Sequence, residues 1–372
     1  MWAYWLLFLV PAGIHFSPIR VDKNVNYVLM ALVGLLGILM IGLRYEVGGD
    51  WEPYLVYLEL ADEFKDEIGK ILSVGNANAI GYMVLNWLAV NLGLESHYEI
   101  YAVNLVCAAI FMVGLTKYCR KQPMPWLALA VAMPYMVCCV AMGYTRQATA
   151  LGFLFWGLSF LRPGKELKFI FLILFGSTFH LSLIVTLPII VFARERILLV
   201  YYPFFVLIVL GIFSIIQTLG VYENYEAIYN YTITLYSAGA QIRAYMNVLP
   251  IIVALFFWKR IKRISPDYKI IKWLSIATFF CIPLLSYSTT MVDRFALYLM
   301  VVQVALWPRV VAVQRTMLNR TIWSTMIIGY YGLVLFVWFN YAVHAESWLP
   351  YRMWPFNHEL MYPAPIPMNP ET

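Results

Sequence analysis

Four arginines in this sequence have positions that suit the binding of an anion. They lie at the predicted outer ends of apolar segments, away from the clusters that hold most of the lysines and arginines: Arg44, Arg146, Arg243 and Arg294. A guanidinium binds phosphate oxygens through parallel N–H donors and stays charged at any relevant pH. If these four side chains lie close together in the folded protein, they form a site that can bind a diphosphate or another anion. The alternative is that each one reaches lipid headgroups or pairs with a nearby acid, such as Asp293.

Two side chains are candidates for a catalytic base near these arginines. Asp50 follows Gly48 and Gly49, and such a turn lets the backbone approach a ligand closely. The same aspartate could instead be the N-cap of the helix that follows it. His180 interrupts the apolar stretch 176–182, where an imidazole can accept a proton or bond a phosphate, or can bond a neighbouring carbonyl. The sequence does not choose between these two bases.

The composition predicts the environment in which these residues lie. Of the 372 residues, 62% are hydrophobic and 12% are charged, a balance that a water-soluble protein of this length does not have. Backbone polar groups inside a bilayer must pair within their own segment, so long apolar runs predict helices. We therefore expect an all-α, polytopic integral membrane protein with about 10–12 transmembrane helices.

The basic residues predict how the helices are oriented. Most of the 26 lysines and arginines lie in six clusters, which we place on the cytoplasmic side because cytoplasmic loops are enriched in these residues. The apolar segment 169–193 begins and ends beside two of them, so we expect a hairpin of two short helices that turns near His180. The clusters lie at residues 20–23, 117–121, 162–168, 194–196, 259–272 and 309–320.

We interpret the chain as one transmembrane helical domain, residues 1–341, followed by a periplasmic C-terminal tail at 342–372. External loops are expected at 44–98 and 220–243. In the first loop, apolar residues recur at helical spacing from Trp51 while acidic residues occupy the other face, which predicts a helix on the outer surface. The second loop is rich in tyrosine, which serves both as an interfacial anchor and as a stacking platform for sugar rings.

Four short motifs follow one another along residues 40–300. They are Gly42-Leu43-Arg44-Tyr45 running into Val47-Gly48-Gly49-Asp50-Trp51 and Tyr54; Tyr144-Thr145-Arg146-Gln147-Ala148; Phe179-His180-Leu181-Ser182; and Asp293-Arg294 with Tyr298. In this order along one polytopic chain, the motifs resemble the EpsG-type members of the Wzy-like O-antigen and exopolysaccharide polymerases. Gly49 departs from that pattern, which more often has a small hydroxyl residue before the aspartate.

The resemblance implies a polymerase that transfers a growing glycan from its undecaprenyl diphosphate carrier onto the next lipid-linked repeat unit. It also implies a multi-pass protein of the bacterial inner membrane whose active site faces the periplasm. The implied partners are undecaprenyl diphosphate-linked oligosaccharides, as donor and acceptor, and membrane lipid, with a chain-length regulator as a further candidate. We expect no cofactor, no metal and no nucleic-acid partner.

The motifs also imply a role for each candidate residue. The arginines would stabilise the charge that builds on the departing diphosphate, and an acid or an imidazole would accept the proton of the attacking hydroxyl. The expected catalytic residues are Asp50, His180, Arg146 and Arg294. The expected substrate-binding residues are Arg44, Arg243, Tyr45, Gln147 and Tyr298.

Two other functions are alternatives to a polymerase. An O-antigen ligase or a polyprenyl-linked glycosyltransferase would also need external arginines, although a ligase usually has a larger periplasmic domain. A glycolipid transporter or flippase should place charges at the bilayer midplane and show two related halves. Here the arginines gather at one face and no internal repeat is evident, which favours an enzyme.

Overall fold

The long apolar segments form helices, because a helix pairs every backbone group of a segment without help from water. The structure is a computed structural model that describes residues 1–19, 22–74, 79–94, 98–192, 239–286 and 289–356. Before residue 193 the α-helices are α1 (Trp2–Phe16), α2 (Lys23–Gly42), α3 (Trp51–Glu63), α4 (Ile68–Val74), α5 (Ile80–Asn91), α6 (Glu99–Cys119), α7 (Pro125–Ala132), which a π-helix, Met133–Ala141, continues, α8 (Thr145–Phe160), α9 (Glu166–Ser177) and α10 (Ile189–Phe192). After residue 238 they are α11 (Ala240–Ile264), α12 (Tyr268–Leu284), α13 (Thr289–Leu299), α14 (Val301–Ala312) and α15 (Met317–Tyr341).

Five helical segments in the described part of the chain are long and apolar enough to cross a membrane. They are Lys23–Gly42, Glu99–Cys119, Ala240–Ile264, Val292–Ala312 and Met317–Tyr341. The predicted fold class, an all-α polytopic membrane protein, is therefore confirmed. Most of the predicted loop at 220–243 lies outside the described residues, and the last residues of that loop belong to α11.

The segment around His180 forms two short helical pieces. The 12 residues of α9 are too few for one crossing, which takes about 20. The chain extends at His180 and then forms a 3-10 helix, Leu181–Thr186. Leu183 lies directly against Gly176 of α9, where even an added Cβ atom would come within 2.6 Å of its side chain. The chain thus turns back near residue 180, as the charge pattern predicted.

Close packing of α2, α6 and α8 places the ends of these helices beside one another. Gly114 of α6 faces Gly152 of α8 so closely that a Cβ atom at Gly114 would lie 2.0 Å from the Gly152 carbonyl oxygen. Gly42, at the end of α2, meets Leu105 of α6 in the same manner. Small residues at such interfaces let helix backbones approach in lipid, where hydrophobic burial does not drive helices together.

Residues 342–356, which we call the C-terminal strap, fold back onto the loop 44–50. The N–H of Gly48 donates a 2.8 Å hydrogen bond to the carbonyl of Ser347. Trp348 in the strap is only 1% exposed, so it belongs to the same core as the helices. This part of the predicted C-terminal tail packs against the transmembrane domain, and residues 357–372 lie outside the described part.

Candidate functional site

The Arg44 side chain lies inside the protein, where α2 ends. It is 1% exposed, and its Nε donates to the carbonyl of Val47 at 3.1 Å. One terminal nitrogen donates to the carbonyl of Ile41 at 2.6 Å and the other to Oγ1 of Thr145 at 2.7 Å. All three nitrogens therefore donate to the protein itself. In this structure the guanidinium holds the loop 44–50 against the start of α8.

Asp50 occupies the N-cap position of α3, but its carboxylate makes no capping bond with the helix backbone. The hydroxyl of Tyr54 lies 3.5 Å from Oδ2 of Asp50 and accepts a bond from the N–H of Arg146 at 3.4 Å. Burial raises the pKa of the Asp50 carboxyl, although the charges of Arg146, Arg294 and Arg44 and the Tyr54 hydroxyl oppose the shift. A half-buried acid that carries no capping bond is available for chemistry.

Arg146 lies in the first turn of α8, next to Tyr54. Its guanidinium lies 5.1 Å from the centre of the Tyr57 ring, a cation–π contact that fixes the side chain. Its Nε is buried and makes no hydrogen bond to any described residue. A buried donor without a partner costs free energy, which an anionic ligand at this position would recover.

Arg294 reaches this group from α13, nearly 150 residues further along the chain. Gln147, next to Arg146, donates a 3.1 Å hydrogen bond from Nε2 to the backbone carbonyl of Arg294. Both guanidinium groups are close enough for their charges to act on the Asp50 carboxylate and on the imidazole of His180. The structure thus brings Asp50, Arg146, His180 and Arg294 together, and we call these four residues the arginine–acid cluster.

His180 is held by side-chain hydroxyls. Its Nδ1 lies 2.6 Å from Oγ of Ser182, and that oxygen lies 2.9 Å from the hydroxyl of Tyr298. Tyr298 and Arg294 are four residues apart on α13 and therefore share one face of the helix. The bond to Ser182 fixes the orientation of the imidazole beside the two arginines.

Arg243 lies in the first turn of α11, and its Nε forms an ion pair with Asp293. The alternative weighed from the sequence, that an outer arginine pairs with a nearby acid, therefore holds for this residue. Tyr144 lies close enough to be influenced by both Asp50 and the Arg243–Asp293 pair.

Tyr45 packs edge-on against Trp51, with ring centres 6.0 Å apart. Its backbone N–H donates to the carbonyl of Arg352 in the C-terminal strap at 3.1 Å, and Arg352 pairs with Glu46. Burial, together with a hydrogen bond to Glu46, raises the pKa of Tyr45 to about 12. Tyr45 therefore joins the loop to the strap.

Sequence reasoning gave no role to three residues that shape the site: Tyr54, Ser182 and Trp348. Tyr54 and Ser182 stood within the quoted motifs, so their positions were a usable signal. Trp348 lies outside every motif. Its indole Nε1 donates to the carbonyl of Cys138 at 3.0 Å, and a Cβ atom on Gly143 would lie 2.2 Å from the ring.

The arrangement combines fixed positive charge with a candidate base. The charges of two guanidinium groups from different helices act on a carboxylate and an imidazole, and hydrogen bonds hold the imidazole and the backbone of Arg294 in place. Such preorganised donors stabilise negative charge that develops during a reaction. The site can therefore bind a phosphorylated ligand and accept a proton beside it.

Comparison with known proteins places the chain in a family. No curated protein and no solved structure matches the sequence significantly. A family model, described as the EpsG family, matches residues 27–353, a range that contains every site residue named above. The resemblance seen in the sequence is therefore confirmed. This chain belongs to the EpsG family, and so to membrane proteins of a polysaccharide-polymerase-like kind.

Proposed function

We propose that this protein joins undecaprenyl diphosphate-linked oligosaccharide repeat units into a surface polysaccharide, at the periplasmic face of the bacterial inner membrane. The observation that carries the proposal is that Asp50 and Arg146 both contact the Tyr54 hydroxyl, while Gln147, beside Arg146, bonds the backbone carbonyl of Arg294. Membership of the EpsG family supports the same class of reaction. The donor would enter from the bilayer with its polyprenyl chain in lipid and its diphosphate at the arginine–acid cluster.

The reaction needs a base and a group that stabilises the leaving diphosphate. The acceptor hydroxyl oxygen bonds to the anomeric carbon of the donor while the bond from that carbon to the diphosphate oxygen breaks. The hydroxyl proton passes to the carboxylate of Asp50. The charge on the released undecaprenyl diphosphate lies between Arg146 and Arg294, which present fixed donors to its oxygens.

Asp50 fits the role of base better than His180 in this geometry. The imidazole Nδ1 is engaged by Ser182, which leaves Nε2 alone to accept a proton, whereas the carboxylate contacts, among the described residues, the Tyr54 hydroxyl at a long 3.5 Å. A base works best when its pKa lies near the pH at which the enzyme operates, and burial moves the pKa of Asp50 in that direction. We assign His180 and Tyr298 to holding the substrate.

The distribution of basic residues supports a periplasmic site. The helix α6 begins at Glu99, near the loop that carries Asp50, and ends at the basic cluster 117–121. Clusters of this kind mark cytoplasmic loops. The opposite end of the helix, and the arginine–acid cluster with it, then faces the periplasm, where lipid-linked repeat units would be joined.

The test uses membranes that contain the protein and lipid-linked repeat units, with product chain length read on a gel. Arg146→Ala and Arg294→Ala should each lower polymer formation by roughly 100- to 1000-fold, the range for loss of one preorganised donor. The matched control is Arg315→Ala, because Arg315 is an exposed arginine in a predicted cytoplasmic cluster. Each variant is checked for membrane insertion and for its elution volume in detergent.

Unchanged chain-length ladders in both cluster variants would contradict the proposal. A loss of product in Arg315→Ala as severe as in the other two would also contradict it, because the effect would then not be specific to the site. Accumulation of single unpolymerised repeat units in the two cluster variants is the expected positive sign.

A further inference from the structure

A groove runs along the lipid-facing surface between α2 and α6, away from the arginine–acid cluster. The two helices are antiparallel, because Gly42 of α2 meets Leu105 of α6 while Gly34 meets Thr116. The groove has a volume of about 390 Å³. Small and apolar side chains form most of its wall: Ala31, Gly34, Leu35, Met112, Val113 and Thr116. Its size and apolar lining suit a hydrocarbon chain.

Two basic side chains line one end of the groove. Lys117 and Arg120 line it together with the apolar residues. Among the described residues, neither side chain forms an ion pair with a carboxylate. The charged end therefore lies open to an anion, and it lies at the end of α6 opposite to the arginine–acid cluster.

Aromatic and backbone contacts hold both cations in place. The Nζ of Lys117 lies 4.4 Å from the centre of the Trp156 ring. Arg120 donates to the carbonyl of Tyr27 at 3.0 Å and lies over the ring of the same residue at 5.1 Å. The Nε of Arg120 is buried and makes no hydrogen bond to a described residue. These contacts fix the geometry of the cations without neutralising their charge.

We propose that this groove binds an anionic phospholipid, with an acyl chain between α2 and α6 and the phosphate at Lys117 and Arg120. Basic pockets between transmembrane helices on the cytoplasmic side are suited to anionic headgroups, and the predicted orientation places this end of the groove there. Two uncompensated positive charges favour a lipid with net negative charge over a zwitterionic lipid of equal chain length. The site is separate from the arginine–acid cluster and does not depend on the reaction assigned to it.

The test measures lipid binding to the purified full-length protein in detergent. Dioleoyl phosphatidylglycerol and dioleoyl phosphatidylcholine are titrated separately, and bound lipid is counted by native mass spectrometry. Wild-type protein should bind one phosphatidylglycerol more tightly than any phosphatidylcholine. Lys117→Gln combined with Arg120→Gln should weaken that binding by roughly 30-fold, as expected for the loss of two basic contacts at a membrane surface.

A matched control removes the same charges elsewhere. Lys259→Gln combined with Arg263→Gln changes one lysine and one arginine in another predicted cytoplasmic cluster, and neither residue lines the groove. This control should bind phosphatidylglycerol as wild-type protein does. An equal loss of binding in the control would show that only overall charge matters, and would overturn the proposal.

A second pair of variants tests the groove without changing charge. Ala31→Phe places a ring inside it, whereas Leu32→Phe enlarges a neighbouring side chain that is 55% exposed and does not line the groove. Loss of the tight lipid in Ala31→Phe alone supports the site. Equal binding of both dioleoyl lipids to wild-type protein, or retention of phosphatidylglycerol in Ala31→Phe, would overturn it, even if the charge variant failed to fold.

Discussion

The side-chain amide of Gln147 donates a 3.1 Å hydrogen bond to the backbone carbonyl of Arg294. This bond joins the first turn of α8 to α13 and crosses 147 positions of sequence. The contact therefore fixes the backbone of Arg294 relative to Gln147 and its neighbour Arg146. The distance between the two guanidinium groups depends on how these helices are held together.

Replacing Gln147 with leucine should lower polymer formation while leaving the protein folded. The variant keeps similar volume but loses the donor, so Arg294 can shift relative to Arg146. Small misplacements of catalytic groups reduce rates by roughly 10- to 100-fold. Chain-length analysis in membranes measures the effect.

Gln314→Leu is the matched control for that variant. Gln314 is also buried, but its amide donates at 2.8 Å to the carbonyl of Val310, only four residues earlier in the chain. The Gln314→Leu variant should therefore form polymer of the same chain length as wild-type protein. Equal ladders for Gln147→Leu and wild-type protein would show that the bond to Arg294 does not position the site.

Arg44 and Arg146 should respond differently to replacement by alanine. Arg44→Ala removes a buried guanidinium that bonds three partners, and should lower the free energy of unfolding by on the order of 3 kcal/mol. Arg146→Ala removes a group with an unused donor and should change stability little. Thermal unfolding in detergent gives the comparison. A larger loss of stability in Arg146→Ala than in Arg44→Ala would reverse these assignments.

Asp50 should give a distinctive dependence on pH. Burial raises the pKa of its carboxyl, so the folded protein binds this proton more tightly than the unfolded chain does. Its contribution to stability is therefore present below the pKa of the unfolded chain and is lost as the pH rises through the raised pKa. Asp50→Asn removes the buried charge, so it should be more stable than wild-type protein at neutral pH, and the difference should shrink on acidification.

The same substitution should remove activity, because the proposed base is gone. Losing a general base typically costs about 100- to 10,000-fold in rate. In wild-type protein, product formation should fall as the pH drops through the raised pKa, since only the carboxylate accepts a proton. Asp66→Asn, at an exposed acid outside the cluster, is the control. An Asp50→Asn variant with normal product would exclude this residue as the base.

Two adjacent glycines should tolerate substitution very differently. Gly48 has a φ of 106°, and a Cβ atom there would lie 2.1 Å from the carbonyl oxygen of Met142. A Cβ atom on Gly49 meets only the Trp348 ring, at 3.8 Å. Gly48→Ala should therefore disturb the loop before Asp50 and lower both stability and product, whereas Gly49→Ser should fold normally. Thermal stability and product chain length are measured on both variants. Similar values for the two variants would contradict the predicted difference between Gly48 and Gly49.

The departure at Gly49 fits this geometry. The resemblance noted in the sequence implies a small hydroxyl residue before the aspartate, and the space beside Gly49 accommodates one. Gly48, by contrast, is fixed by a backbone conformation that side chains rarely adopt and by the close approach of the chain at Met142. The motif alone could not separate the two glycines, because both read as a flexible turn.

The sequence alone predicts the apolar helices, the helix that begins at Trp51 and the turn near His180. Each of these depends on local properties: apolar length, the spacing of apolar residues and the charge beside each segment. The order of the motifs also identified the family, which the match over residues 27–353 confirms.

The partner that each polar residue takes depends on the tertiary structure. Arg44 turned inward to Thr145, Arg243 paired with Asp293, and His180 bonded Ser182 beside Tyr298. Most of these pairs join residues that lie 50 or more positions apart. Lipid is as apolar as the residues between packed helices, so the hydrophobic pattern does not show which face meets which neighbour. Partner choice follows from close helix packing, at contacts such as Gly114 with Gly152, which the one-dimensional pattern does not contain.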